Sequence, residues 1–284
     1  MELGRDALLP RYQRIVDTCE PYLVTYPGNH GALDLRPFGL PIASERLYDP
    51  TSLRSRAVID GLHHLDAFSF GGQEMLMPRW VLFDCGEFPG IVFGFGRTAS
   101  ALSPELRRAY HVEGAAHDDT FVPLSMWVAI RCAEQGAWFG HNLSSANYVP
   151  QPDPLPGLGT ITKAYGVAVA RVAKQYGATQ WASHSVALHM TLGEMNLLGA
   201  YTPAHTHVET FTYRIDVDHE RVTAPLRPGW SRPTEGGDRV IDAGDSDAIV
   251  ALQDELERGA RLRLHRVEVR GEDQPQRLWL VVAG

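Results

Sequence analysis

The chain has 284 residues, 44% of them hydrophobic, and 34 acidic against 26 basic side chains leave a net charge of -8. That length is enough to bury a substantial core, in one large domain or one with a smaller appendage. The acidic balance excludes nucleic acid or an anionic membrane as the main partner.

Cys19, Cys85 and Cys132 are too few and too scattered for a disulfide framework or a Cys-based zinc site, and they read as reduced core thiols. The opening "MELGRDALLPRYQRIVD" is charged and lacks the apolar centre of a secretory signal, which predicts a cytoplasmic location. No stretch reaches the ~20 apolar residues of a membrane helix.

In chain order, "RYQRIVDTCEPYLVTYPG" predicts a short helix and then a strand stopped by "YPGN". Asp49-Pro50-Thr51 starts a helix in which Leu53, Val58 and Leu62 fall at helical spacing. "RWVLFDCGEFPGIVFGFGR" is two apolar runs around Gly86-Glu87-Phe88-Pro89-Gly90, which predicts a hairpin. "SPELRRAY" is a helix capped by Ser103, with Pro104 in its first turn. "FVPLSMWVAIR" and "GAWFGHNLSS" are strand-like. After the proline-rich "VPQPDPLP", the Gly157-Leu158-Gly159 turn opens a helix with Ile161, Ala164, Tyr165, Ala168 and Val169 at helical spacing. "GATQWAS" predicts a strand, "SVALHMTLG" a short helix closed by Gly193, and "EMNLLGAYTP" with "TFTYRIDVD" an antiparallel pair. In the last third, "APLRPGWSRPTEGGD" is a linker or lid, and "SDAIVALQDELERGA" is an amphipathic helix capped by Ser246 or Asp247. "RLRLHRVEVR" and "QRLWLVVAG" are strands that extend the main sheet.

Three stretches carry a resemblance. "NLSSANYVPQPDPLPGLGTITKAYGVAVA", "ATQWASHSVALHMTLGEMNLLGAY" and "TFTYRIDVD" together are similar to the acetyl-CoA-dependent N-acyltransferase (GNAT) superfamily over residues 78–218. The resemblance implies an α+β fold with a mixed, mostly antiparallel twisted sheet flanked by helices. Residues 1–75 then form an N-terminal extension, 76–218 the core, and 219–284 a C-terminal α+β appendage. It also implies a coenzyme A thioester held at its pyrophosphate by Gly157, Leu158, Gly159 and Thr160. The sequence departs from the family where Pro154 stands at the turn's Gln/Arg, and where His189 falls at the tyrosine that protonates the leaving thiolate. The expected activity is transfer of an acyl group from a CoA or carrier-protein thioester to a small-molecule acceptor, with a homodimer as a further expectation.

Physical chemistry supplies roles for the residues around that turn. Bare glycines let the backbone approach a phosphate, and a helix N-terminus offers free N–H groups and a favourable dipole. The alternative is a turn that has only to be tight. His141 suits a general base near neutrality, and His189 suits the acid that protonates the leaving group. The strand N–H groups around Asn142 and Ser144 suit contacts to the acyl carbonyl, and Trp181 a pocket wall. His205, His207 and Glu209 sit two apart, so on a strand they would share a face. After Pro203 they read as a solvated loop or as proton transfer (His205) and substrate contact (His207, Glu209), with no metal as the first choice. A metal-dependent hydrolase or lyase is the alternative. A repurposed decarboxylase or lyase, and a non-catalytic module with a pocket walled by Trp127, Trp138 and Trp181, are the other readings. His63-His64 with Asp66 reads as a helix end, and Lys163 as a phosphate counter-ion or a solvated side chain.

Overall fold

The computed structural model describes residues 3–73, 75–87, 90–232, 234–268 and 276–283. The chain divides into two compact units. The first comprises Met1–Cys132, Gly140–Arg171 and Leu226–Pro228, and the second Ala133–Phe139, Val172–Pro225 and Gly229–Gly284.

In the first unit α1 (Pro10–Thr18) leads into β1 (Glu20–Val24) and the two-residue β2 (Leu47–Tyr48). Then come α2 (Arg56–Phe70), α3 (Arg79–Glu87), β3 (Gly90–Thr98) and α4 (Pro104–Ala109). β4 (Phe121–Pro123), β5 (Ser125–Arg131), β6 (Ala137–Ser145) and α5 (Leu158–Val169) follow, β6 running from one unit into the other. The β3 run "GIVFGFG" is buried at every position, the pattern of a strand covered on both faces. β3 pairs antiparallel with β1, β4 and β5, and β1 pairs parallel with β2. α5 is fastened to this sheet by a buried polar bridge: Thr162 and Ser125 share a 2.6 Å hydroxyl contact, and Ser125 Oγ accepts the Phe95 N–H at 3.1 Å. Satisfying these groups inside the core keeps their burial from costing stability.

Two expectations for this region are corrected. Residues 79–87 form a helix, not the first strand of a hairpin, so Cys85 lies on a helix; Phe88 and Pro89 fall outside the described residues. Leu82 and Gly86, four apart, turn inward, while Trp80 and Phe83 are exposed. Four consecutive apolar residues satisfy either element, and Pro78, whose carbonyl accepts the Val81 N–H, starts the helical turn. Leu53 precedes α2 on a 3-10 turn and is 92% exposed, so it is not a core position.

The second unit holds β7 (Lys174–Gln180), α6 (Ser185–His189), β8 (Gly193–Gly199), β9 (Thr210–Val217) and α7 (His219–Thr223). β10 (Arg239–Asp242), α8 (Ser246–Glu257), β11 (Leu262–Glu268) and β12 (Arg277–Val282) complete it. Its strands run in the order β10-β12-β11-β8-β9-β7, each pair antiparallel. β9 thus enters between β7 and β8, and β11 joins the sheet through Arg263↔Asn196 and Leu264↔Met195. The α8 cap is Asp245, one residue before the expected Ser246 or Asp247; its carboxylate accepts the Ala248 N–H at 3.0 Å. A mixed, mostly antiparallel sheet flanked by helices is what the chain builds. No helix among the described residues is long and apolar enough to cross a membrane.

Candidate functional site

The glycine turn stands at the end of a tightly held loop. Asn147 takes both backbone groups of Leu155, accepting its N–H at 3.0 Å and donating to its carbonyl at 2.8 Å. Gln151 turns back to the Ala146 carbonyl at 3.1 Å, and Arg14 on α1 pairs with Asp153. The turn is therefore fixed before any ligand arrives.

Its two glycines have different reasons to be glycine. Gly157 has φ +84°, a left-handed conformation, and a Cβ there would lie 2.6 Å from the buried Tyr12 ring. Steric and conformational demands of the fold account for it. Gly159 has neither demand: a Cβ would meet only Leu143 Cδ2, at 3.9 Å. The Leu158 N–H donates to Leu155 O and the Ile161 N–H to Gly157 O, both at 3.1 Å, so those two are committed to the turn. The Gly159 and Thr160 N–H groups have no acceptor among the described residues. A bare, half-exposed glycine with two free N–H groups at the start of a twelve-residue helix is a place where an anion fits.

Leu143 belongs to β6, and its strand neighbours carry the chemistry. His141 is exposed; protein around it pushes its pKa below the usual histidine value, and a hydrogen bond with the Asn142 side chain partly offsets this. Asn142 Nδ2 in turn donates to Asp66 Oδ1 at 2.9 Å, while the Met77 N–H donates to Asp66 Oδ2 at 2.7 Å. Asp66 has no exposed surface, and burial raises its pKa against the opposing pull of Met77, Asn142 and nearby His63. The Ser144 hydroxyl is buried, with no hydrogen-bond partner among the described residues.

Asp66 is the member that sequence reasoning missed. His63, His64 and Asp66 lie inside α2, not at its end, and Asp66 falls on the inward face with Leu62 and Leu65. A lone carboxylate on the apolar face of a helix was the available signal. Lys163 is also corrected: it is 1% exposed on α5, neither solvated nor at the helix start, and burial holds its pKa well below the usual lysine value. Cys132 follows β5 and is half-buried, not core.

Of the remaining predicted residues, all but Trp127 lie in the second unit. His189 is 8% exposed, its ring stacked on Tyr213 at 5.5 Å. Trp181 is fully buried, donating Nε1–H to Ala200 O at 2.7 Å with its ring 4.6 Å from Phe211. Trp127 and Trp138 are likewise buried. His205 and His207 lie on a turn with rings 6.0 Å apart, and the His205 Nδ1 accepts the His207 N–H at 3.0 Å. Glu209 accepts a hydrogen bond from Ser246. Among the described residues no group of three or more His, Cys, Asp or Glu could hold a metal ion.

The chain order β6, glycine turn, α5, β7, α6, β8, β9 is the order that the sequence resemblance implies. No family model and no curated protein sequence matches the chain. Among solved structures it is similar to a chain of the NatC complex bound to Gag peptide and CoA. That likeness has 10% identity and a TM-score of 0.38 over 60% of this chain and 97% of that one. It is also similar to diaminobutyrate acetyltransferase EctA from Paenibacillus lautus, in complex with L-2,4-diaminobutyric acid and coenzyme A. There the identity is 12% and the TM-score 0.35 over 56% of this chain and 89% of that one.

Proposed function

We propose that the first unit carries out acyl transfer from a coenzyme A thioester to a small-molecule acceptor. The observation that carries this reading is Gly159, a glycine the fold does not require, beside two N–H groups without acceptors. Those N–H groups and the Thr160 hydroxyl would hold the pyrophosphate, helped by the α5 dipole. The bound thioester would supply the activated acyl group.

His141 is the base in this reading. A pKa pushed below the usual value keeps its imidazole neutral near pH 7, ready to take a proton from an acceptor amine or hydroxyl. Asn142 orients the ring, and Asp66 fixes the Asn142 amide in turn. The strand N–H groups around Asn142 to Ser144 would polarise the acyl carbonyl.

Titration calorimetry with coenzyme A and acetyl-coenzyme A tests the reading. Micromolar binding that Gly159→Asp abolishes, with no fall in melting temperature, supports it. The added carboxylate has room in the fold and would oppose only an anion. Absence of binding to both compounds, or equal binding by the variant, overturns it.

A further inference from the structure

A pocket of about 290 Å³ lies wholly within the second unit, near the lower end of the size that encloses a small organic ligand. Arg221, Trp230, Arg232, Arg263, His265 and Arg266 line it, and Glu194 is the one acid among its lining residues. Four guanidiniums against one carboxylate leave an excess of three positive charges, in a chain whose net charge is -8. Converging cations in a concave wall focus the field on whatever enters.

The sheet places two of these arginines deliberately. β11 has a bulge between Leu264 and Arg266: Leu264 pairs with Leu280, but Arg266 pairs with Trp279. The extra residue, His265, restores Arg266 to the face that already carries Arg263, while Leu264 and Val267 keep the other face. Arg263 is held by Glu194, and Arg266 by the Thr234 carbonyl and the Trp279 ring, 3.6 Å from its guanidinium carbon. A His265 ring nitrogen donates to Glu235 O at 3.1 Å, fixing that side chain too. Arg221 and Arg232, by contrast, have side chains with no hydrogen-bond or ion-pair partner among the described residues. Two anchored and two uncommitted guanidiniums thus meet at one cavity, with Trp230 and Met190 supplying apolar wall.

We infer that this pocket binds the phosphate monoester of a small organic molecule, separately from the glycine turn. Guanidinium forks match the phosphate oxygens in pairs, and the charge excess favours a dianion over a monocarboxylate. The apolar wall takes the organic body.

Phenyl phosphate, benzoate and inorganic phosphate are the probes, titrated by calorimetry at fixed ionic strength. Phenyl phosphate is expected to bind most tightly, with benzoate and inorganic phosphate each at least tenfold weaker. The double variant R221Q/R232Q is expected to lose at least tenfold for phenyl phosphate at an unchanged melting temperature, since neither side chain is held by the fold. Gly159→Asp is expected to bind phenyl phosphate as the unmodified protein does, which separates this pocket from the glycine turn. Failure of phenyl phosphate to bind, equal binding of benzoate, or wild-type affinity in the double variant overturns the inference.

Discussion

Asn142 on β6 donates its side-chain amide to the Asp66 carboxylate on α2 at 2.9 Å, across 76 positions of sequence. A buried carboxylate is stable only to the extent that donors surround it. Asp66 has two among the described residues, the Asn142 amide and the Met77 N–H, and still its pKa is raised by burial.

Asn142→Ala removes one donor, which raises the Asp66 pKa further. With a folded-state pKa above the unfolded one, the folded protein binds the proton more tightly, and stability falls as pH rises through that window. The variant is expected to lose about 1–3 kcal/mol at pH 7 and less at pH 5, because the loss shrinks in the direction in which Asp66 takes up its proton and needs the donor less. Urea unfolding at the two pH values measures it; a loss equal at both would show that Asp66 is not the group affected.

The glycines of the turn separate in stability as they do in geometry. Gly157→Ala is expected to cost about 1–2 kcal/mol for the left-handed backbone, with a further cost from displacing Tyr12. Gly159→Ala adds a methyl with 3.9 Å of clearance and improves helix propensity, so it is expected to stabilise by up to about 1 kcal/mol. If Gly159 serves a ligand, the stabilised variant binds coenzyme A more weakly. Thermal melts of both proteins with and without coenzyme A decide this, and equal destabilisation by the two would remove the distinction.

Much of the element order was legible because periodicity and punctuation agree in it. Ser103, Pro104 and the 161–169 spacing each name an element, and the structure has it. The α3 segment failed because four adjacent apolar residues carry no period. Of the Asp66–Asn142–His141 chain, only the strand half was visible: Asp66 is one carboxylate in a helix, and its partner lies 76 residues away. The arginine pocket was invisible for a related reason. "RLRLHRV" looks like simple alternation, and only the pairing register reveals that His265 is an extra residue that returns Arg266 to the Arg263 face.

The α8 cap offers a test of that local reading. Asp245 accepts the Ala248 N–H, whereas Asp247 has already entered the helix. Asp245→Ala is expected to cost ~1 kcal/mol, and Ser246→Ala and Asp247→Asn less than half of that. Chemical denaturation of the three variants gives the comparison; a larger loss at Ser246 would move the cap.

Lys163 gives a pH dependence of the opposite sign to Asp66. Burial holds its folded pKa well below the usual lysine value, so the unfolded chain binds the proton more tightly. Stability therefore rises with pH from the folded pKa up to the unfolded value, and it is reduced by the desolvation cost below that window. Lys163→Met replaces the ammonium by an apolar chain of similar length, and it is expected to stabilise the protein most at neutral and acid pH. The gain should shrink as pH rises toward the ordinary lysine value of 10.5, because the folded lysine is then already neutral and the unfolded one is losing its proton. Urea unfolding of both proteins at pH 6, 8 and 10 measures the trend, and a variant that is less stable at every pH would mean that the amine holds the core together through a contact worth more than its desolvation.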